Sequence, residues 1–207
     1  MINAGDAASG STRTEELVYR DGVYYELSVA DHAQFPLNSI FNHEPKKTSS
    51  GEPANVFRNY LYMHMSRGAM LVEYYLKTAA LQASDWDALA ETTKWAHEFT
   101  PAFARVRMHG GDPRKGQVYG YAGFSDRLAY VSFHNPAQTA QPYTLALDRS
   151  LGAPAAPTRF VLSSPVQGSL AGLPRCLMTG APITLMLAPK EIRLLELRAA
   201  TGPAQCN

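Results

Sequence analysis

The stretch Gln117-Val118-Tyr119-Gly120-Tyr121-Ala122-Gly123-Phe124-Ser125-Asp126-Arg127-Leu128-Ala129-Tyr130-Val131-Ser132-Phe133 decides the fold. Tyr119, Tyr121 and Gly123 alternate with Val118, Gly120 and Ala122, the period of two that sends successive side chains to opposite faces of a strand. Ser125-Asp126 is turn chemistry, and a second β-type run follows it at 128–133. Toward the C-terminus, runs of the same kind are expected at 143–147, 158–162, 183–187 and 192–197, with shorter ones near 167–170 and 175–178. Asn135-Pro136, Gly180-Ala181-Pro182 and Pro189-Lys190 punctuate them. Short strands at this spacing predict a β-sandwich or barrel, read here as an antiparallel sandwich over residues 116–198.

Toward the N-terminus the pattern changes. His109-Gly110-Gly111-Asp112-Pro113-Arg114-Lys115-Gly116 reads as a loop joining two halves. Ahead of it, residues 84–99 predict a helix, with Ser84 as N-cap and Asp85 and Asp87 in the first turn. Trp86, Leu89, Ala90, Thr93, Ala96 and Phe99 form its expected inward face. Phe57, Leu61, His64, Gly68, Leu71 and Tyr75 recur at helical steps and predict one long helix over 57–76. Gly68 in its middle costs about 1 kcal/mol relative to Ala. Residues 22–29 read as a strand and 35–45 as an ordered loop. The expected class is α+β: a flexible lead-in 1–17, a helical segment 18–115, the sandwich 116–198 and a tail 199–207. An apolar stripe as long as the one from Phe57 to Tyr75 needs cover, so an extensive interface between the halves or an oligomer is expected.

Composition narrows the function classes. The chain has 207 residues, 45% of them hydrophobic and 18% charged, which is a globular balance rather than a disordered one. Nineteen Lys and Arg against eighteen Asp and Glu leave a net charge of +1, without the basic footprint of a nucleic-acid binder. No apolar run approaches the ~20 residues of a membrane span. The first residues lack the basic and apolar regions of a signal peptide, and no compartment is assigned. Cys176 and Cys206 are the only cysteines, which excludes a disulfide framework. Residues so near a terminus are usually mobile, so no bridge between the two is expected. His43-Glu44 and His97-Glu98 each lack the second histidine of a zinc helix, and no metal or cofactor is expected. Neither a nucleophile elbow nor a Gly-rich phosphate loop is present.

The densest set of side chains suited to a polar ligand lies in residues 38–44. Asn38, Asn42, His43 and Glu44 offer donors and acceptors beside Phe35 and Phe41, the mixture of planar apolar faces and hydrogen-bonding groups that sugars need. The same asparagines could serve only their own loop backbone. Tyr119 and Tyr121 read as sheet packing before they read as a ligand platform.

The order of short motifs resembles a known family. Phe35-Pro36-Leu37-Asn38-Ser39-Ile40-Phe41-Asn42-His43-Glu44-Pro45 comes first, then Tyr60-Leu61-Tyr62, Arg67-Gly68 and the helix with Trp86 and Trp95. Gly110-Gly111-Asp112-Pro113, Val118-Tyr119-Gly120-Tyr121, Phe133-His134-Asn135-Pro136 and Leu187-Ala188-Pro189-Lys190-Glu191-Ile192 follow. This looks like the C-terminal part of a bacterial (β/α)8-barrel glycoside hydrolase of the α-galactosidase-like kind, with its antiparallel β-sandwich. The resemblance implies a carbohydrate partner and places the usual catalytic carboxylates upstream of these residues. Glycosidic hydrolysis needs two carboxyl groups, about 5–5.5 Å apart for retention and ~6.5–9.5 Å for inversion. Only Glu44 sits among aromatic and amide groups, with Asp112 the next placed by motif. The expectation is therefore a carbohydrate-active piece of a hydrolase without its full catalytic machinery, associating with a barrel half or with itself. The alternatives are a non-catalytic carbohydrate-binding or structural sandwich, with Tyr119, Tyr121, Tyr130 or Tyr143 facing ligand, and a complete small hydrolase using Glu44.

Overall fold

The computed structural model describes residues 37–41, 54–68, 71–75 and 78–206. The expected lead-in 1–17, the strand at 22–29 and the loop residues 42–45 lie outside these. Two layers flank one antiparallel sheet. Its strands are β3 (Val106–Gly110), β4 (Tyr119–Phe124), β5 (Leu128–His134), β7 (Arg159–Ser163), β8 (Cys176–Met178) and β10 (Ile192–Ala199). They lie in the order β3-β4-β5-β10-β7-β8. β6 (Gln141–Ala146) and β9 (Pro182–Leu187) form a separate antiparallel pair.

Alternation along the central strands sorts their side chains onto two cores. Ala129, Val131 and Phe133 of β5, with Leu195 and Leu197 of β10, join Ile183, Leu185 and Leu187 of β9. Tyr130 of β5, Tyr119 and Tyr121 of β4 and Leu194 of β10 point the other way, into a core built with two helices. These are α1 (Ala54–Met65) and α2 (Ala83–Phe99). The chain is α+β, and the apolar side of α1 is covered by the sheet: Phe57, Tyr60 and Leu61 are fully buried there.

The helix expected over 57–76 stops at Met65. Gly68 adopts the left-handed conformation with φ +71°, and its N–H bonds to the Met65 carbonyl at 2.9 Å, a glycine stop. A Cβ there would also lie 2.4 Å from Val106 Cγ2. Beyond the stop, β2 (Leu71–Tyr75) is a strand. It pairs in parallel with β1 (Leu37–Phe41), which the sequence reading placed in a loop. Leu71, Val72 and Tyr75 satisfy helical and strand periods alike over so short a run, and Gly68 selects the strand.

α2 begins at Ala83, with Gln82 as N-cap in place of Ser84. Asp85 reaches back to accept from the Gln82 N–H at 2.8 Å, and a carboxylate there also suits the positive helix end. The buried face is Ala88, Leu89, Thr92, Trp95 and Phe99, rotated from the expected one, and Trp86 is 46% exposed. Trp95 decides the rotation: it stacks on Phe99 at 5.0 Å and meets the Tyr130 ring edge-on at 5.4 Å. Thr92 is admitted because its hydroxyl donates to the Ala88 carbonyl at 2.8 Å.

The Gly-rich stretch at 109–116 runs from the end of β3 into the connection of the β3–β4 hairpin. β4 needs glycine for close approach as well: a Cβ on Gly120 would sit 1.8 Å from the Ser132 carbonyl oxygen. Residues 167–170 are turns rather than a strand, with Gly168 at φ +80°. Cys176 and Cys206 are disulfide-bonded, contrary to expectation. The tail is not free, because the 3₁₀ turn Pro203–Cys206 returns to β8 and is fixed there.

Candidate functional site

β1, α1 and β2 form a parallel β-α-β unit in which Asn38 lies opposite Val72. In such units the loops at the carboxyl ends of the strands hold ligands, because strand and helix termini converge there. Asn38 belongs to β1. Asn42, His43 and Glu44 follow β1 in the chain and lie outside the described residues, so of the four nominated residues only Asn38 is among those described.

Several of the described carboxylates are engaged within the fold. Glu91 pairs with Arg58 at 3.0 Å, Glu98 with Arg198 at 2.7 Å and Glu191 with Arg193 at 2.8 Å. Asp85 caps α2, and Glu196 accepts from the Ser163 hydroxyl at 2.5 Å. Asp112 is a turn residue whose carbonyl accepts from the Lys115 and Gln117 N–H groups. Among the described residues there is no group of three or more His, Cys, Asp or Glu that could hold a metal ion.

A polar seam lies where the end of α1 meets the sheet. Ser66 donates to the Met63 carbonyl at 2.7 Å, and its hydroxyl lies 2.7 Å from that of Ser132. Tyr130 donates to the Ser66 carbonyl at 2.7 Å, and the Tyr121 N–H donates to the Ser132 hydroxyl at 3.0 Å. Tyr119 and His134, opposite one another in the ladder, share a 2.7 Å bond between the phenol and Nδ1. Burial, reinforced by the charge of Lys190, pushes the His134 pKa down to about 3. The ring is therefore neutral, and its tautomer decides whether the phenol or Nδ1 is the donor.

A second buried histidine faces the sandwich. His109 Nε2 donates to the Ser132 carbonyl at 3.0 Å, which fixes the tautomer, and Nδ1 accepts from the Tyr143 hydroxyl at 3.0 Å. Burial lowers its pKa to about 4 against the opposing pull of that carbonyl, and burial raises the Tyr143 phenol to about 12. Neither histidine was singled out from the sequence, because each pairing depends on strand register. Tyr119, Tyr121 and Tyr130 are buried under the helices and present no platform to solvent.

An accessible concavity lies on the outer flank of α2. Tyr74, Trp86, Ala90, Thr93, Lys94 and His97 border a cavity of about 740 Å³. The Tyr74 and Thr93 hydroxyls are 2.9 Å apart. Its lining is apolar apart from hydroxyl, ammonium and imidazole groups. Among the described residues its lining has no carboxylate, and these residues suit an apolar or ring-shaped surface rather than the two-carboxylate chemistry of glycosidic hydrolysis.

No family model matches the sequence, and no curated protein matches it. Solved structures do resemble the fold. A GH27 β-L-arabinopyranosidase from Geobacillus stearothermophilus superimposes with a TM-score of 0.57 at 10% identity, over 90% of this chain and 43% of that one. An Anoxybacillus α-amylase gives 0.54 at 13% identity, over 93% and 46%. A putative α-N-acetylgalactosaminidase from Bacillus halodurans gives 0.51 at 10%, over 90% and 45%. The chain therefore has a fold found within glycoside hydrolases, and it spans less than half the length of each.

Proposed function

We propose that this chain is the C-terminal portion of a carbohydrate-active glycoside hydrolase, without the full catalytic machinery in these residues. The supporting observation is the pairing of coverages: nine-tenths of this chain lies on less than half of each enzyme. The order of elements agrees, since a parallel β-α-β unit and a further helix precede the antiparallel sheets, as the end of a (β/α)8 barrel would precede its sandwich. In this reading β1 and β2 are late barrel strands, and Asn38, Asn42, His43 and Glu44 belong to the sugar-facing end. The open flank of α2, with Tyr74 and Trp86 exposed, is where further α/β units pack, so the chain associates with a barrel half rather than acting alone.

The isolated chain is expected to bind sugar weakly through the segment carrying Asn42, His43 and Glu44, and to leave aryl α- and β-galactosides unhydrolysed. Release of the aryl group and sugar binding by calorimetry read the two halves of this expectation. Turnover that disappears in Glu44→Gln overturns it in favour of a complete small hydrolase.

A further inference from the structure

β8 is the outermost strand of the six-stranded sheet, held on one side by β7. Of its three residues only Leu177 enters the sandwich core. By alternation Cys176 and Met178 point to the opposite face of the sheet, and both are half-buried. α1 and α2 cover that face over β4, β5 and β10, and their core takes no residue from β7 or β8. What reaches Cys176 there is the turn Pro203–Cys206 after β10, with the two cysteine Cα atoms 5.5 Å apart. β8 also lies between glycine-containing turns. Gly168 and Gly172 precede it and Gly180 follows it, all at positive φ, and a Cβ on any of them would meet nothing within 4 Å. β8 is thus attached by its ladder to β7, which runs on through the Leu162 N–H to the Arg175 carbonyl and the Thr179 N–H to the Thr158 carbonyl. The Gly180 N–H bond to the Leu147 carbonyl, one apolar side chain and one covalent bond add to that attachment.

We propose that the Cys176–Cys206 bridge is a redox clasp on the sheet edge, whose opening by a dithiol releases β8 and the C-terminal turn while the other strands stay folded. One thiolate of the dithiol attacks a bridge sulfur to give a mixed disulfide. Its second thiol then displaces the protein sulfur and closes the reagent's own disulfide. Two electrons and two protons pass to the protein, leaving Cys176 and Cys206 as thiols. The chain has no third cysteine, so the opened state has no alternative internal pairing. The clasp suits the oxidising compartments in which structural disulfides persist, and its opening leaves the β7 main chain as a new sheet edge. This inference is independent of the glycoside hydrolase reading.

Hydrogen exchange with mass spectrometry on the full chain tests it, comparing the oxidised protein, the protein reduced with dithiothreitol, and a Cys176→Ser, Cys206→Ser double variant. Amides of β8 and of the C-terminal turn are expected to exchange roughly tenfold faster or more once the bridge is gone, with β4, β5 and β10 unchanged. Unaltered exchange at β8, or acceleration spread over every strand, overturns the clasp. If the double variant does not fold, the reduced wild-type chain decides between these outcomes.

Discussion

The two faces of the six-stranded sheet are made by the same strands and are built differently. Toward β6 and β9, β5 and β10 present Ala129, Val131, Phe133, Leu195 and Leu197, and β9 answers with Ile183, Leu185 and Leu187. Toward the helices they present Tyr130, Ser132, His134 and Leu194, beside Tyr119 and Tyr121 of β4. Both faces are buried. An aliphatic face holds its partner by area removed from water, a non-directional force that tolerates small shifts. A face of hydroxyls and rings adds bonds with required angles, so the end of α1 is fixed at Ser66 by Tyr130 and Ser132. The difference separates adhesion from positioning: the sandwich side supplies stability, and the helix side sets where the β1-α1-β2 unit sits.

The largest effect expected from this contrast comes from the aliphatic side. Leu195 is fully buried in the sandwich core. Leu195→Ala is expected to destabilise the chain by about 3 kcal/mol, from lost transfer energy plus the cavity left behind. Urea unfolding followed by circular dichroism measures it. A loss no larger than that of a single hydrogen bond would show that this face can collapse around the gap, and the distinction between the faces would weaken.

The sheets were legible in the sequence because alternation and turn residues agreed, as in β4, where Tyr119 and Tyr121 do face away from Ala122. What escaped turned on choices between two satisfiable patterns. Residues 71–75 fit either period, and only the positive φ of Gly68 ended the helix. α2 carries two apolar stripes, one with Trp86 and one with Trp95, and the rings waiting at Tyr62 and Tyr130 chose the second. β3 has too few apolar residues to announce itself and is defined by its ladder to β4. The Cys176–Cys206 bond spans 30 residues and depends on a turn after the last strand. Of the candidate site, Asn38 was placed on β1 as part of the parallel unit. The buried histidines became visible only once register brought Tyr119 against His134, and Tyr143 against His109.

Those histidines allow the faces to be compared by pH, since His134 lies on the helix side and His109 on the sandwich side. Both are held neutral in the fold, with pKa values lowered to about 3 and about 4, whereas an unfolded histidine titrates near 6.5. Below about pH 6.5 the unfolded chain takes up protons that the folded chain refuses, so stability falls with falling pH until each folded pKa is reached. The expected slope is up to about 1.4 kcal/mol per pH unit for each histidine. Chemical denaturation at a series of pH values reads it. Replacing either histidine should remove about half the slope, and a slope untouched by either substitution would mean that other groups carry the dependence.

The smallest effect probes positioning alone. Tyr130→Phe keeps the ring that meets Trp95 edge-on at 5.4 Å and removes only the hydroxyl that donates to the Ser66 carbonyl. A net hydrogen bond is worth about 1 kcal/mol, and a buried carbonyl left with fewer partners adds to that cost. The expected destabilisation is therefore about 1–2 kcal/mol, below that of Leu195→Ala. The more telling readout is local. With the ring in place the core stays filled, so faster amide exchange should be confined to the last turn of α1, around Met65 to Gly68, leaving β9 and β10 protected. Equal loosening of the β6–β9 pair would show that the hydroxyl network supports the whole sheet rather than the seat of α1, and would remove the division of labour between the two faces.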